Sequence, residues 1–272
     1  MTGTYDIAFS LGFSCGGSLA LRDADLQFAS YPFDWTGTPG VVKSAKMVES
    51  DFAGWFEKDD LRLVSVRGGT FQTNVYLNSR TGFGFPHDFS RFQTFEESFP
   101  VVAEKYVRRI ARFMSAVAAA KRALAVYIGR PIDSRVPDGD LIEARRILSA
   151  KFPGTSFDIL YFYRKEGAEG FAEETVADGV TAVACEYAKF DYGEISHAIK
   201  WEVQARYLRE HFRLSAVPDA AASAKYEAES RAARKKRFKS RIDEWKYRIY
   251  RNLEKQLQEK GLVPRDRPLW FY

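Results

Sequence analysis

The strongest constraint on the fold is the alternation of mostly apolar runs with an amphipathic segment in the second half of the chain. The apolar runs are ALAVYIG (123–129), FDILYFYR (157–164) and VTAVACEYA (180–188), and DGDLIEARRILSAKF (138–152) has helical spacing. Strands without polar alternation are typical of parallel sheets that are covered on both faces. The pattern predicts an α/β fold with a mostly parallel, open, Rossmann-like three-layer sheet.

The first half of the chain predicts a less regular set of elements. YDIAFSLG (5–12) is a strand candidate, and SCGGSLALRDADL (14–26) predicts a turn that enters a helix capped by Ser14. The other expected elements are a helix over 39–56, a small β-hairpin over 61–78, a loop over 80–92, a helix from Thr94 or Pro100 to Lys121 and a helix over 196–212.

The basic charge is concentrated near the end of the chain. Residues 225–260 carry 13 Lys and Arg against 6 Asp and Glu, a net charge of +7, whereas the whole chain carries +5. We expect an α/β catalytic-type domain over 1–217 and a basic amphipathic helix and tail over 218–272. The helix, over about 223–260, suits packing against the domain or a partner helix, or an anionic membrane surface. Nucleic-acid binding is not expected, because no recognised motif accompanies the charge.

Composition excludes several classes of protein. Hydrophobic residues make up 46% of the chain and charged residues 28%, as in a globular protein with a sizeable core. No apolar run is long enough to cross a bilayer, and no signal peptide is evident. We therefore expect a cytoplasmic protein, peripheral on the inner membrane if the tail binds lipid. The two cysteines form no metal or disulfide framework, and no metal is expected.

Cys15 is the candidate nucleophile. It lies where a predicted strand leads into a predicted helix, and a helix N-terminus lowers the pKa of a thiol. Gly16 and Gly17 follow directly and would offer backbone N–H groups to an oxyanion. The alternative is a buried cysteine at a tight turn. Cys185, inside a predicted strand, is expected to be a core residue.

Two further residues complete a candidate triad. His87 in FPHDF is the candidate base, and Asp34 in PFDW would orient its imidazole. His87 could instead be a surface histidine, and Asp34 a helix cap or a brace of its loop. His197, which opens a predicted helix, is the second-choice base.

Three arginines form a candidate anion-binding group. Arg108, Arg109 and Arg112 lie in KYVRRIARF, and Arg108 and Arg112 share a helix face at i, i+4 spacing. They would clamp a phosphate or a carboxylate, or else form a solvated helix face.

A succession of motifs gives the chain a family resemblance. SLGFSC, YPFDW, DFAGWF, HDF and KYVRRIARF occur in this order over Leu11 to Phe113. The succession resembles a bacterial family labelled as papain-like cysteine peptidases, whose members occur in loci for cell-surface polysaccharide and lipopolysaccharide. The resemblance implies that Cys15 is the nucleophile and His87 its partner, with Asp34 in the PFDW loop.

A second, remote likeness concerns the first motif alone. Gly12-Phe13-Ser14-Cys15 is similar to the Gly-Asn-Cys-Gln signature of capsule-biosynthesis acetyltransferases, although Gly16 stands where they have Gln. The two resemblances together imply a cysteine-dependent acyltransferase or hydrolase in surface polysaccharide biosynthesis.

The expected ligands follow from this activity. The substrate would be a glycan or a lipid-linked glycan. No cofactor is required, but an acyl donor such as acyl-CoA is compatible with the chemistry. The alternative is a non-catalytic glycan-binding or assembly-partner module of a polysaccharide biosynthesis complex, in which the aromatic loops bind glycan and the tail recruits partners.

Overall fold

The structure is a computed structural model that describes residues 2–67, 72–129, 135–186 and 201–216. The described residues form two units, 2–55 with 108–216 (the first unit) and 56–107 (the second unit). His197 and the predicted C-terminal helix lie outside the described residues, so these expectations stay predictions, as does the domain boundary at 217.

Strands and helices are interspersed along the described residues. The strands are β1 (Gly3–Tyr5), β2 (Ile7–Ser10), β3 (Leu61–Arg67), β4 (Thr73–Asn78), β5 (Gly84–Ser90), β6 (Arg122–Ile128), β7 (Ser156–Arg164), β8 (Phe171–Ala177), β9 (Val180–Cys185) and β10 (Phe212–Leu214). The α-helices are α1 (Cys15–Asp23), α2 (Val41–Glu49), α3 (Phe95–Ala119), α4 (Asp138–Lys151) and α5 (Glu202–His211), with 3₁₀ helices at Pro32–Trp35 and Lys58–Asp60.

The main sheet of the first unit has the strand order β2-β6-β7-β9-β8. The first four strands are parallel, and β8 is an antiparallel edge strand. The predicted α/β class with parallel strands is confirmed, and the Rossmann-like layering stays a prediction. β8 was not predicted, because an edge strand half open to water lacks the apolar run of β6, β7 and β9.

Burial explains why the central strands of this sheet are mostly apolar. Successive side chains point to opposite faces of a strand, and every side chain of β9 is buried. One face of the sheet packs against α1 and α5. The cluster includes Leu124, Val126, Leu160, Phe162, Val183 and Cys185 from the strands, and Ala20, Leu21, Tyr207 and Leu208 from the helices.

The second unit contains an antiparallel sheet of order β3-β4-β5. β3 and β4 pair as expected for the predicted hairpin. The loop expected over 80–92 is wrong in part, because β5 adds a third strand there. The presence of Gly84 and Pro86 explains the error, since both residues weaken a strand pattern in the sequence.

Helix α2 is shorter than the sequence suggested. The predicted helix over 39–56 ends at Glu49, because Asp51 and Phe52 have left-handed backbone, with φ of 54° and 61°. This turn buries Phe52 and Trp55 beside Phe33, with ring centroids 5.4 Å apart in each pair. Among the described residues, no helix is both long and apolar enough to span a membrane.

Candidate functional site

The segment between β2 and α1, residues 11–14, is held in place by three hydroxyl-bearing residues. The Gly12 N–H donates to Ser10 Oγ at 3.1 Å. Ser44 Oγ donates to the Leu11 carbonyl at 2.8 Å, and the Thr38 N–H donates to the Phe13 carbonyl at 3.1 Å. Backbone groups that regular structure would leave unpaired are thus satisfied, and the position of the residues that follow is fixed.

Cys15 is the first residue of α1. Ser14 is the N-cap, and its Oγ accepts the Gly16 N–H at 3.3 Å, as the sequence predicted. Cys15 is half-buried, and the helix begins just beyond the carboxyl end of β2. Ligands of parallel sheets bind at this end of the strands, and the start of a helix favours negative charge.

The two glycines after Cys15 have different surroundings. A Cβ added to Gly17 would lie 2.4 Å from Ser10 Oγ, whereas one added to Gly16 would lie 3.6 Å from its nearest neighbour, Ser14 Oγ. Gly17 is therefore needed for close packing of α1 on β2. The Gly16 N–H serves the Ser14 cap, and an oxyanion role for either glycine stays a prediction.

Gly12 is constrained in a similar way. Its φ is +98°, a left-handed value that favours glycine, and an added Cβ would lie 2.3 Å from Thr38 Cγ2 and 2.4 Å from Thr38 Oγ1. The Thr38 side chain thus lies directly on the α-carbon of Gly12. No other residue type at position 12 would allow this contact.

Cys185 provides the contrast to Cys15. It is fully buried in the core cluster of the first unit, as the sequence predicted. Burial raises the pKa of the Cys185 thiol to about 12, because the interior disfavours a thiolate.

Asp34 is buried completely in the 3₁₀ helix Pro32–Trp35. Its carboxylate accepts hydrogen bonds from Gln27 Nε2 at 2.7 Å and the Tyr31 N–H at 2.8 Å, and forms an ion pair with Arg22 at 3.4 Å. Burial raises the pKa of Asp34, and Arg22 opposes this most strongly. These contacts are those of a loop brace, the alternative that the sequence left open, and a catalytic role stays a prediction.

The arginines of α3 have unequal surroundings. Arg112 is half-buried and donates to the Ser30 carbonyl at 3.1 Å, and Arg109 lowers the pKa of Asp34. Arg108 is exposed. Arg112 therefore supports the segment that carries Asp34, and the anion clamp stays a prediction.

His87 lies on β5 in the second unit and is half-buried. The register of β4 and β5 shifts where Pro86, His87 and Asp88 lie opposite a single residue. Such bulges redirect side chains. Asp88 turns inward, where Tyr106 donates to it at 2.6 Å and Lys105 forms an ion pair.

Three aromatic residues of the motifs belong to the interior. Phe33, Phe85 and Phe89 are each at most 1% exposed. A ring in this position cannot stack on a sugar, so these residues do not form the glycan surface of the alternative prediction. Within the described ranges, no group of three or more His, Cys, Asp or Glu residues could hold a metal ion.

The comparison with protein families supports the resemblance. Residues 6–132 match the model of the family described as "Putative papain-like cysteine peptidase (DUF1796)". This range includes Cys15, Asp34 and His87 and covers less than half of the 272 residues. Neither the curated proteins nor the solved structures gave a match.

Sequence reasoning missed the residues that support Cys15. Thr38 and Ser44 lie up to 33 positions from the atoms they contact, and no local pattern marks them. Ser10 contacts Gly12 only two positions away, but the residue is an ordinary member of the predicted strand. Asp88 lies within FPHDF, next to His87. Nothing in this motif indicates that the Asp88 side chain is buried and contacts Tyr106 and Lys105.

Proposed function

We propose that the chain is a cysteine-dependent enzyme of hydrolysis or acyl transfer, with Cys15 as its nucleophile. The observation that carries the proposal is the position of Cys15 as the half-buried first residue of α1. The match of residues 6–132 to a family described as cysteine peptidases supports it.

The chemistry follows from a thiolate at this position. Cys15 Sγ attacks the carbonyl carbon of an acyl group, and the carbonyl electron pair moves to the oxygen. The tetrahedral intermediate then expels the leaving group with a proton and forms a thioester. Water releases the acyl group as an acid in a hydrolase, whereas an alcohol takes it in a transferase. The sequence predicts that His87 moves the proton, with His197 as the second choice, and this assignment stays a prediction.

The substrate class rests on the sequence resemblance. We propose a glycan or lipid-linked glycan of surface polysaccharide biosynthesis, with acyl-CoA as a candidate donor. The basic residues 223–260 would hold the enzyme at an anionic membrane surface or a partner helix. The sequence likeness to families of polysaccharide loci and the charge of this segment support these assignments.

Alkylation of the intact protein by iodoacetamide tests the nucleophile. Mass spectrometry should locate the label on Cys15 at neutral pH, while Cys185, sealed in the core, reacts only after unfolding. The pH profile of labelling should have its midpoint below about 8.5, the value of an ordinary cysteine. Cys15→Ala should abolish fast labelling. If Cys15 reacts no faster than glutathione at the same pH, the proposal is wrong.

The three histidines allow the base to be identified by substitution. His87→Gln and His197→Gln are the informative variants, and His211→Gln is the matched control. His211 stacks on Tyr207 at 4.0 Å and bonds to the backbone of its own helix. The base is the histidine whose loss slows the acylation of Cys15 by p-nitrophenyl acetate. Equal rates in all three variants would remove histidine from the mechanism.

A further inference from the structure

Thr38 carries a buried hydroxyl that no described residue satisfies. The residue is 6% exposed, and Oγ1 has no hydrogen-bond partner. The neighbouring hydroxyls behave differently. Thr36 Oγ1 donates to the Phe33 carbonyl at 3.1 Å, and Ser44 Oγ donates to the Leu11 carbonyl at 2.8 Å.

The position of this hydroxyl connects it to the nucleophile. The Thr38 N–H bonds to the Phe13 carbonyl at 3.1 Å, and Oγ1 would be 2.4 Å from a Cβ on Gly12. Both contacts lie in the short segment that ends at Cys15. The Thr38 side chain therefore lies against the backbone that leads directly to the nucleophile.

The buried hydroxyl of Thr38 lowers the stability of the fold, and the packing of this side chain does not require it. A valine has the same shape as threonine but lacks the polar atom, and burying an unpaired hydroxyl destabilises a protein. Buried polar groups without partners are rare in native proteins, and a catalytic role is one of their recognised explanations.

We propose that the Thr38 hydroxyl donates a hydrogen bond to the oxyanion that forms when Cys15 attacks an acyl carbonyl. This inference rests on the proposed function, because it needs Cys15 to be the nucleophile. As the C–S bond forms, the carbonyl electron pair moves to oxygen and the Thr38 O–H stabilises it. As the oxyanion collapses, the leaving group departs and Thr38 keeps its proton.

The burial of the hydroxyl suits this role. A donor that is shielded from water stabilises a developing charge more strongly than one in bulk solvent. Oγ1 is buried in the structure, so the acyl oxygen reaches it through rotation about χ1 of Thr38 or a shift of residues 12–14. Gly12 allows the Thr38 side chain to lie this close to the segment, because glycine has no Cβ.

Two reactions of Cys15 separate an oxyanion donor from a structural residue. Alkylation by iodoacetamide is a displacement at a saturated carbon and forms no oxyanion, whereas acylation by p-nitrophenyl acetate forms one and releases p-nitrophenolate. The ratio of the acylation rate constant to the alkylation rate constant therefore measures oxyanion stabilisation. Thr38→Val should lower this ratio about tenfold or more, toward the 10²–10³ lost with other oxyanion donors.

Matched variants and stability measurements complete the test. Thr38→Ser keeps the hydroxyl and should keep the ratio. Thr38→Ala removes the hydroxyl and should lower the ratio as Thr38→Val does, which provides a second measurement if valine prevents folding. Thr38→Val should also raise Tm by about 2–4 °C, because the unpaired hydroxyl is gone.

The outcomes distinguish this inference from the proposed function. A lower ratio in Thr38→Val and Thr38→Ala, with fast alkylation retained, supports the role of Thr38. An unchanged ratio overturns it and leaves Cys15 as the nucleophile. Slow alkylation of the wild-type protein overturns both proposals.

Discussion

Helix α1 packs so closely on β2 that a Cβ on Gly17 would lie 2.4 Å from Ser10 Oγ. Gly17→Ala should therefore force α1 or Ser10 to move and lower the free energy of unfolding by about 1–3 kcal/mol, the usual cost of overpacking. Urea denaturation measures this change, and slower alkylation of Cys15 should accompany it.

Gly16→Ala is the matched control for this substitution. Its added Cβ would lie 3.6 Å from the nearest atom, an ordinary contact. Alanine also favours a helix over glycine by up to about 1 kcal/mol. The variant should be as stable as the wild-type protein or more so. Equal losses in both variants would contradict the close packing at Gly17.

The pH dependence of stability should reflect Asp34. Burial raises the pKa of Asp34 above its ordinary value of 3.8, so the folded protein holds this proton to higher pH than the unfolded chain. Its contribution to stability is complete below about pH 4 and is lost as the pH rises through the folded pKa. Relative to Asp34→Asn, the wild-type protein should lose stability over this interval.

Urea denaturation of the wild-type protein and of Asp34→Asn between pH 4 and pH 8 measures the difference between their free energies of unfolding. The contributions of the other titrating groups to this difference cancel, because the two chains differ only at position 34. A difference that is independent of pH, or that grows in favour of the wild type as the pH rises, would show that Arg22 and the other donors outweigh burial.

The hydroxyl of Tyr106 should stabilise the second unit through Asp88. Tyr106 is 1% exposed and donates to Asp88 Oδ2 at 2.6 Å. Tyr106→Phe keeps the ring and removes this donor from a buried carboxylate, which should cost about 1.5–3 kcal/mol. Thermal or urea denaturation measures the loss.

A neighbouring residue on the same helix serves as the control. Val107 is 66% exposed, and Val107→Ala should change stability by no more than about 0.5 kcal/mol. If Tyr106→Phe is equally mild, the Tyr106 hydroxyl does not stabilise the second unit.

Substitutions of Arg108 and Arg112 in α3 should differ in their effect on stability, because the two side chains differ in burial. Arg112→Gln removes the donor to the Ser30 carbonyl and should cost about 1 kcal/mol. Arg108→Gln, at an exposed position, should be neutral. If the arginines instead clamp an anion, both variants should keep their stability. Inorganic phosphate should then raise the Tm of the wild-type protein, and it should raise the Tm of both variants less.

Several features of the fold could be predicted from the sequence because they depend on residues within a few positions of one another. The apolar runs of β6, β7 and β9, the amphipathic α3 and α4, and the Ser14 cap with Cys15 at the start of α1 are of this kind. Residue spacing and local capping decide such elements before any distant contact forms.

The tertiary structure decided the surroundings of each candidate residue. The sequence placed Asp34 in a loop, but only the fold buries it against Gln27, Tyr31 and Arg22. β5 contains Gly84 and Pro86 and forms because β4 pairs with it. Thr38 and Ser44 reach residues 11–14 because the chain returns to this segment after Asp34. Such contacts depend on which surfaces the folded chain brings together. The spacing of neighbouring residues in the sequence does not determine this.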